Sequence, residues 1–263
     1  MVGTFGDHLE ALKPHLIRSA AAFVVLLIVA FVCKGILVDT VLFGPLNPRF
    51  PTNRFIAAVA EQLGRSTVAA GSDALTLVNT SMAGQFNLHI KISFFTALVL
   101  TLPYTLWELW RFVRPALTQR ELHACRYLTL SVSACFFAGV AFGYFVIAPV
   151  TVSFLSRYDV SAAVVNMVDA NSYLSTVVTV TLACGVVFQL PLLIRLLSRA
   201  GLVTAAFLRH YRRHAFLLLT LLSAIITPPD VVSTIIIVIP LYALYELGIS
   251  IAALNDRHND AKR

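Results

Sequence analysis

Six charges stand together where two apolar runs, 86–110 and 127–155, approach each other: Glu108 near the end of the first, then Arg111, Arg114, Arg120, Glu121 and Arg126 between them. Acids set among arginines at the end of apolar helices can form charge-assisted hydrogen bonds with a guanidinium or a carboxylate partner, the strongest polar contacts where water is scarce. Other polar groups are thinly spread: Asp7 and Glu10 near the start, Gln189 inside an apolar run, Asp230 after two prolines, and Glu246 beyond Pro240. Each has a plain structural reading. Glu108 pairs locally with Arg111 at i, i+3, Glu121 caps the helix it opens, and Asp230 caps the last helix. Glu246 pairs with an arginine at the inner face, and Gln189 bonds between helices. Ser-His-Asp, HExxH, GxSxG and phosphate-loop patterns are absent. Seven histidines are scattered, mostly at interfaces and in loops, and the four cysteines, Cys33, Cys125, Cys135 and Cys184, form no CxxC pair. They read as small buried residues. Without closely spaced carboxylates or histidines, a proton pump and an intramembrane protease are disfavoured.

The elements that position these groups are membrane helices. The chain has 263 residues, 58% hydrophobic and 13% charged, with mean hydropathy +0.82. Soluble domains carry about 25% charged residues, so half that value with several long apolar runs specifies a polytopic membrane protein. Apolar runs place spans at Ile17–Val38, Phe86–Val113, Glu121–Leu155, Tyr173–Leu197, Ala215–Ile226 and Val231–Leu254. The first is too long for the core of a signal peptide and reads as a retained span. The second and third exceed the ~20 residues a bilayer needs and should tilt or protrude. The fifth offers about a dozen apolar residues, ~18 Å of helix against a ~30 Å hydrocarbon core. Ahead of the first span, Phe5, Leu9, Leu12 and Leu16 fall on one helical face, which predicts an amphipathic helix over residues 1–16.

With the N-terminus inside, fourteen of the twenty Lys and Arg residues fall on inner segments and six on outer ones. The asymmetry places both termini in the cytoplasm. The net charge of +7 is then a topology signal, and no nucleic-acid motif accompanies it. The loop at 39–85 lies outside. Its Phe55–Leu63 segment reads as a short helix and Ala74–Asn79 as an extended piece, the whole as a cap. Trp107 and Trp110 lead into the arginines as an interface leads into water. Pro115 ends one helix, and Thr118-Gln-Arg-Glu121 reads as a capping box opening the next.

Several motifs then occur in order. Asp7-His-Leu-Glu-Ala-Leu12 precedes the first span, and the second runs into Pro103-(x)3-Trp107-(x)4-Phe112-(x)2-Pro115-Ala-Leu-(x)3-Glu121. Gly185-Val-Val-Phe-Gln-Leu-Pro191, Ile226-Thr-Pro-Pro-Asp230 and Pro240-Leu-Tyr-Ala-Leu-Tyr-Glu-Leu-Gly248 follow. Over nearly its whole length the chain resembles TatC, the receptor subunit family of the twin-arginine protein translocase. The resemblance implies an all-α, cup-shaped domain of six transmembrane helices, the fifth and sixth short. It implies a receptor and core scaffold that recognises signal peptides with paired arginines on folded cargo. Export would run on the proton-motive force with single-span TatA and TatB type subunits, in a multimer in the cytoplasmic membrane, without cofactor or hydrolysis. By the same resemblance Glu121, Phe112, Glu10, Asp7, Lys13 and Arg120 form the signal-peptide dock. Gln189, Pro191, Pro228, Pro229, Asp230 and Glu246 belong to the surface that meets partner helices during translocation.

Four residues depart from the family pattern. Ala11 stands where relatives carry the second acid of the N-terminal helix, so Glu10, ~100° around the helix, or Asp7, one turn earlier, must substitute. Lys13 and His15 replace common arginines. Gln189 stands where many relatives carry Glu, which leaves a polar point without a titrating carboxylate. Two other classes compete with the receptor. A small-solute secondary transporter would favour inverted repeats and paired broken helices, and neither is visible. A membrane-embedded enzyme lacks its constellation.

Overall fold

The computed structural model describes residues 5–47, 49–62, 77–113, 119–158, 161, 167–199, 202–227 and 231–260. Ten α-helices dominate the described residues: α1 (Phe5–Val32), α2 (Pro51–Gln62), α3 (Gly84–Val113), α4 (Gln119–Phe142), α5 (Ala148–Arg157), α6 (Ala170–Val187), α7 (Leu190–Arg199), α8 (Ala205–His210), α9 (Arg212–Ile226) and α10 (Val231–Asp260). Two-residue strands β1 (Leu77–Val78) and β2 (Val168–Asp169) pair in parallel, Leu77 with Val168 and Val78 with Asp169. Among the described residues, five stretches are long and apolar enough to cross a membrane: Glu10–Val32, Gly84–Leu109, Ser131–Ser156, Ala170–Ser198 and Ser233–Leu254. The chain divides into two compact units, Met1–Gly44 with Asn79–Ala134, and Pro45–Val78 with Cys135–Arg263.

The first unit is built on an antiparallel pair. His15 of α1 meets Glu108 of α3, Phe23 meets Phe94 edge-on at 5.3 Å, and Phe31 stacks on His89 at 4.1 Å. Rising numbers on one helix match falling numbers on the other. The expected amphipathic helix is continuous with the first span. No break separates them, and Pro14 lies inside α1. Small side chains bring the two helices close: Ser19 and Ala30 on α1, Ser93 and Ala97 on α3, all buried. Close approach through small residues is how membrane helices associate when the hydrophobic effect gives no net drive.

The second unit has the denser core, centred on Ile147, Val180, Cys184, Leu219, Ile237, Leu241 and Ile249. Here two apolar spans bend. The third expected span runs from α4 through a π-helical turn, Gly143–Ile147, into α5. Pro149 supplies the reason. It has no N–H for the carbonyl of Phe145, four residues back. That carbonyl instead accepts a hydrogen bond from the hydroxyl of Thr52, in the loop helix α2. Phe50, just before α2, stacks on Phe145 at 5.4 Å and meets Tyr144 edge-on at 5.6 Å. The loop therefore completes a bent helix, which is a structural role for the expected cap. Its helix covers Pro51–Gln62, slightly ahead of the expected Phe55–Leu63, and of the expected extended piece Leu77–Val78 is a strand.

The fourth span breaks between α6 and α7, where Phe188 and Gln189 turn ahead of Pro191. The fifth helix is short, as its composition requires. Its 15 residues reach about 22 Å. It ends on Thr227, whose backbone N–H and hydroxyl both bond to the Ser223 carbonyl, at 3.0 and 2.9 Å. The last apolar stretch, Ser233–Leu254, lies inside a longer helix that continues through polar residues to Asp260.

Candidate functional site

The site assembles where the polar end of α1 passes the end of α3. Tyr104, Glu108 and Arg111 recur on α3 at spacings of four and three, so they share one helix face. His15 and Arg18 share a face of α1 at a spacing of three. Glu108 is 1% exposed, yet it closes the apolar stretch Gly84–Leu109. A charge in that position is costly unless paired. His15 Nδ1 bonds to its Oε2 at 2.5 Å, and the Tyr104 hydroxyl donates to Oε1 at 3.1 Å. Arg18 Nη1 lies 3.8 Å from Oε2 and Arg111 Nη1 3.9 Å from Oε1. The expected local pair with Arg111 is present, but His15 makes the shorter contact. His15 in turn meets the ring of Phe112 edge-on at 6.1 Å, and Arg111 lies over Trp107 at 5.6 Å. Chemically this is a buried carboxylate in a cationic, aromatic surround at the end of two membrane helices.

Of the expected dock residues, Phe112 is half-buried and joined to this cluster through His15. Glu10 and Lys13 are exposed on α1. Asp7 is placed in α1, and Arg120 and Glu121 lie near the start of α4. The side chains of these three lie outside the described part of the structure, as does Thr118 of the expected capping box. His15, Arg18 and Tyr104 were missed as participants. The legible signal was an acid at a span end with an aromatic hydroxyl one turn before it; the partner helix was not legible.

The second unit holds the other expected residues. Gln189 sits half-buried at the α6–α7 break, its carbonyl accepting from the N–H groups of Leu192 and Leu193, both at 3.0 Å. Pro191 is buried two residues on. Glu246 binds Arg212 at 2.6 Å, the arginine partner expected for it. Two nearby bonds were not anticipated. The Tyr245 hydroxyl donates to the Leu208 carbonyl at 2.9 Å, and Asp256 accepts from the Ala205 N–H at 2.8 Å, capping α8. The last helix thus holds α8 and α9 by three polar contacts. Pro228, Pro229 and Asp230 lie outside the described residues.

Long apolar helices, a proline bend completed by a hydroxyl and a paired carboxylate at a span end define a multi-pass α-helical membrane protein. Comparison with known proteins agrees and goes further. Residues 7–240 match the family model "Sec-independent protein translocase protein (TatC)". The TatC of Blattabacterium sp. subsp. Periplaneta americana is 34% identical over 250 residues, covering 94% of each chain. That of Deinococcus radiodurans is 34% identical over 246 residues, covering 92% of this chain and 83% of the relative. A crystal structure of the twin-arginine translocase receptor TatC in DDM superposes with a TM-score of 0.72 at 27% identity, covering 93% of this chain and 99% of the other. A second crystal structure of that receptor gives a TM-score of 0.67 over 95% of this chain. The chain belongs to the TatC family and is a component of a Sec-independent protein translocase.

Proposed function

We propose that this chain is the signal-peptide receptor and core scaffold of a twin-arginine translocase. The observation that carries the reading is the likeness, across 93% of the chain, to a structure described as the twin-arginine translocase receptor. Both termini lie in the cytoplasm, by the asymmetry of Lys and Arg. The polar end of the α1–α3 pair then faces the side from which cargo arrives. Glu121 receives a guanidinium of the signal peptide, since a carboxylate takes arginine in bidentate fashion and at low dielectric the pair is strong. Phe112 gives an apolar wall, Glu10 or Asp7 serves in place of the acid absent at Ala11, and Lys13 and Arg120 flank the dock. Single-span TatA and TatB type subunits join it, several copies assemble, and the proton-motive force drives export across the inner membrane. The surface that includes Gln189, Pro191, Pro228, Pro229, Asp230 and Glu246 meets the partner helices. A single domain carries all of this, with the 39–85 loop as its periplasmic cap.

The test is binding of a labelled signal peptide to the purified protein in detergent, with an arginine pair and with a lysine pair. The account expects preference for arginine, lost in Glu121→Ala while the variant still inserts. Equal binding of both peptides by the unaltered protein contradicts it.

A further inference from the structure

Among the side chains that the structure describes, Glu108 is the only charged one that is buried, and its acceptors are not used up. A carboxylate offers about four lone-pair sites. Each oxygen here takes one hydrogen bond, Oε2 from His15 and Oε1 from Tyr104. Each oxygen also faces one guanidinium that stops short of bonding, Arg18 at 3.8 Å and Arg111 at 3.9 Å. Hydrogen bonds from nitrogen to oxygen form at about 2.7–3.2 Å, so both arginines attract the carboxylate without being committed to it. Their side chains are half exposed, 51% and 54%, and long enough to swing away at little cost.

We infer that Glu108 is a second guanidinium-accepting site, and that the chain's own Arg18 and Arg111 compete there with the arginine pair of a signal peptide. Two arginines, one from each helix, on the two oxygens of one carboxylate reproduce the chemistry that a paired-arginine ligand presents. The site is continuous with the proposed dock. Phe112 is four residues beyond Glu108 on α3 and packs on His15, the closest partner of the carboxylate. On α1, Ala11, His15 and Arg18 recur at spacings of four and three, so the face that meets Glu108 carries no acid of its own. The carboxylate for that face comes from α3. A signal-peptide arginine that displaces Arg111 gains a charge-assisted bond and frees Arg111 onto Trp107, over whose ring it already lies at 5.6 Å. The resting protein is thereby held partly closed against weak ligands, and a lysine pair, without the planar fork, displaces the internal arginines poorly.

This inference rests on the receptor reading, and one experiment separates the two. Full-length protein in detergent is titrated with labelled signal peptide bearing an arginine or a lysine pair, for the unaltered chain, Arg111→Gln, Glu108→Gln, Glu108→Gln/Arg111→Gln and Glu121→Ala, with thermal unfolding recorded for each. Removing the competitor in Arg111→Gln should tighten the arginine peptide about threefold or more and leave the lysine peptide unchanged. Glu108→Gln should weaken the arginine peptide about tenfold and reduce arginine-over-lysine selectivity, and Arg111→Gln should have no effect in its background. If Arg111→Gln leaves the arginine peptide unchanged or weakens it, self-competition is overturned. That variant is exposed and decides the matter even where Glu108→Gln unfolds. A purely structural Glu108 would lower stability and weaken both peptides equally, which also overturns the inference. Selectivity lost in Glu121→Ala but kept in Glu108→Gln removes this site and leaves the receptor reading standing. Absence of selectivity in the unaltered protein removes the receptor reading itself.

Discussion

The two units hold themselves together in different ways. In the second, apolar side chains and glycines close the core. A Cβ added at Gly139 would lie 2.6 Å from the Cys184 carbonyl, and one at Gly143 2.9 Å from the Thr181 Cα. Neither helix can accept a side chain there without separating from α6. In the first unit the pair α1–α3 leaves much of its surface open. Leu16, Ile17, Val25, Ile28 and Val32 are all more than half exposed, and the end of the pair is fixed by a charge cluster. In a bilayer, exposed apolar surface meets lipid or partner helices at no penalty. The difference shows that one unit specifies its own packing. The other fixes one end with a buried carboxylate and its polar partners, while both units keep large apolar side chains exposed.

Four experiments sharpen or break that contrast. The largest effect should come from Gly139→Leu, whose side chain has only backbone and Phe188 to displace. A loss of about 3 kcal/mol or more, read as collapse of the thermal unfolding midpoint in detergent, is expected; a near-normal midpoint would mean that the glycine contact is not what closes the core. Next is the polar anchor. A double-mutant cycle on His15→Ala and Glu108→Gln should give a coupling of about 1–3 kcal/mol, since the pair joins a buried carboxylate to a half-buried ring. Additive effects would show that α1 is held by its apolar contacts alone. Arg212→Gln should cost less than about 1 kcal/mol, because both side chains of the Arg212–Glu246 pair are partly solvated, at 45% and 34% exposure. A larger loss would mark that pair as part of the second unit's framework. The smallest effect belongs to Gln189→Glu. The side chain sits at a helix break already organised by backbone bonds, so export in cells should stay within about twofold. Complete loss of export would place Gln189 at a rebuilt partner site.

Much of this was legible in the chain because membrane helices announce themselves by composition. The span positions, the short fifth helix and the helix in the outer loop follow from apolar run length and proline placement alone. Where one helix finds another was not legible. Nothing local to His15 says that it will meet a residue 93 positions away. The bend at Gly143–Ile147 was hidden for a similar reason. Pro149 gave the missing donor, but the replacement comes from Thr52, in a loop read only as a cap. Nothing local to Asp256 says that it caps the start of α8, 51 positions earlier. The motif around Phe112 and Glu121, proposed as the dock, was legible through its resemblance to a family. The acid at Glu108 was visible too, but its role depends on which side of α1 turns toward it.

The most direct test of the receptor account is site-specific photocrosslinking to a signal peptide from positions 112 and 121 in the membrane. The account predicts crosslinks from both positions to a peptide carrying an arginine pair, and their loss when the pair is replaced by lysines or when Glu121 is replaced by Ala with the probe at 112. Crosslinks that persist at equal yield without the arginines, or no crosslinks from either position to an exported precursor, would contradict it.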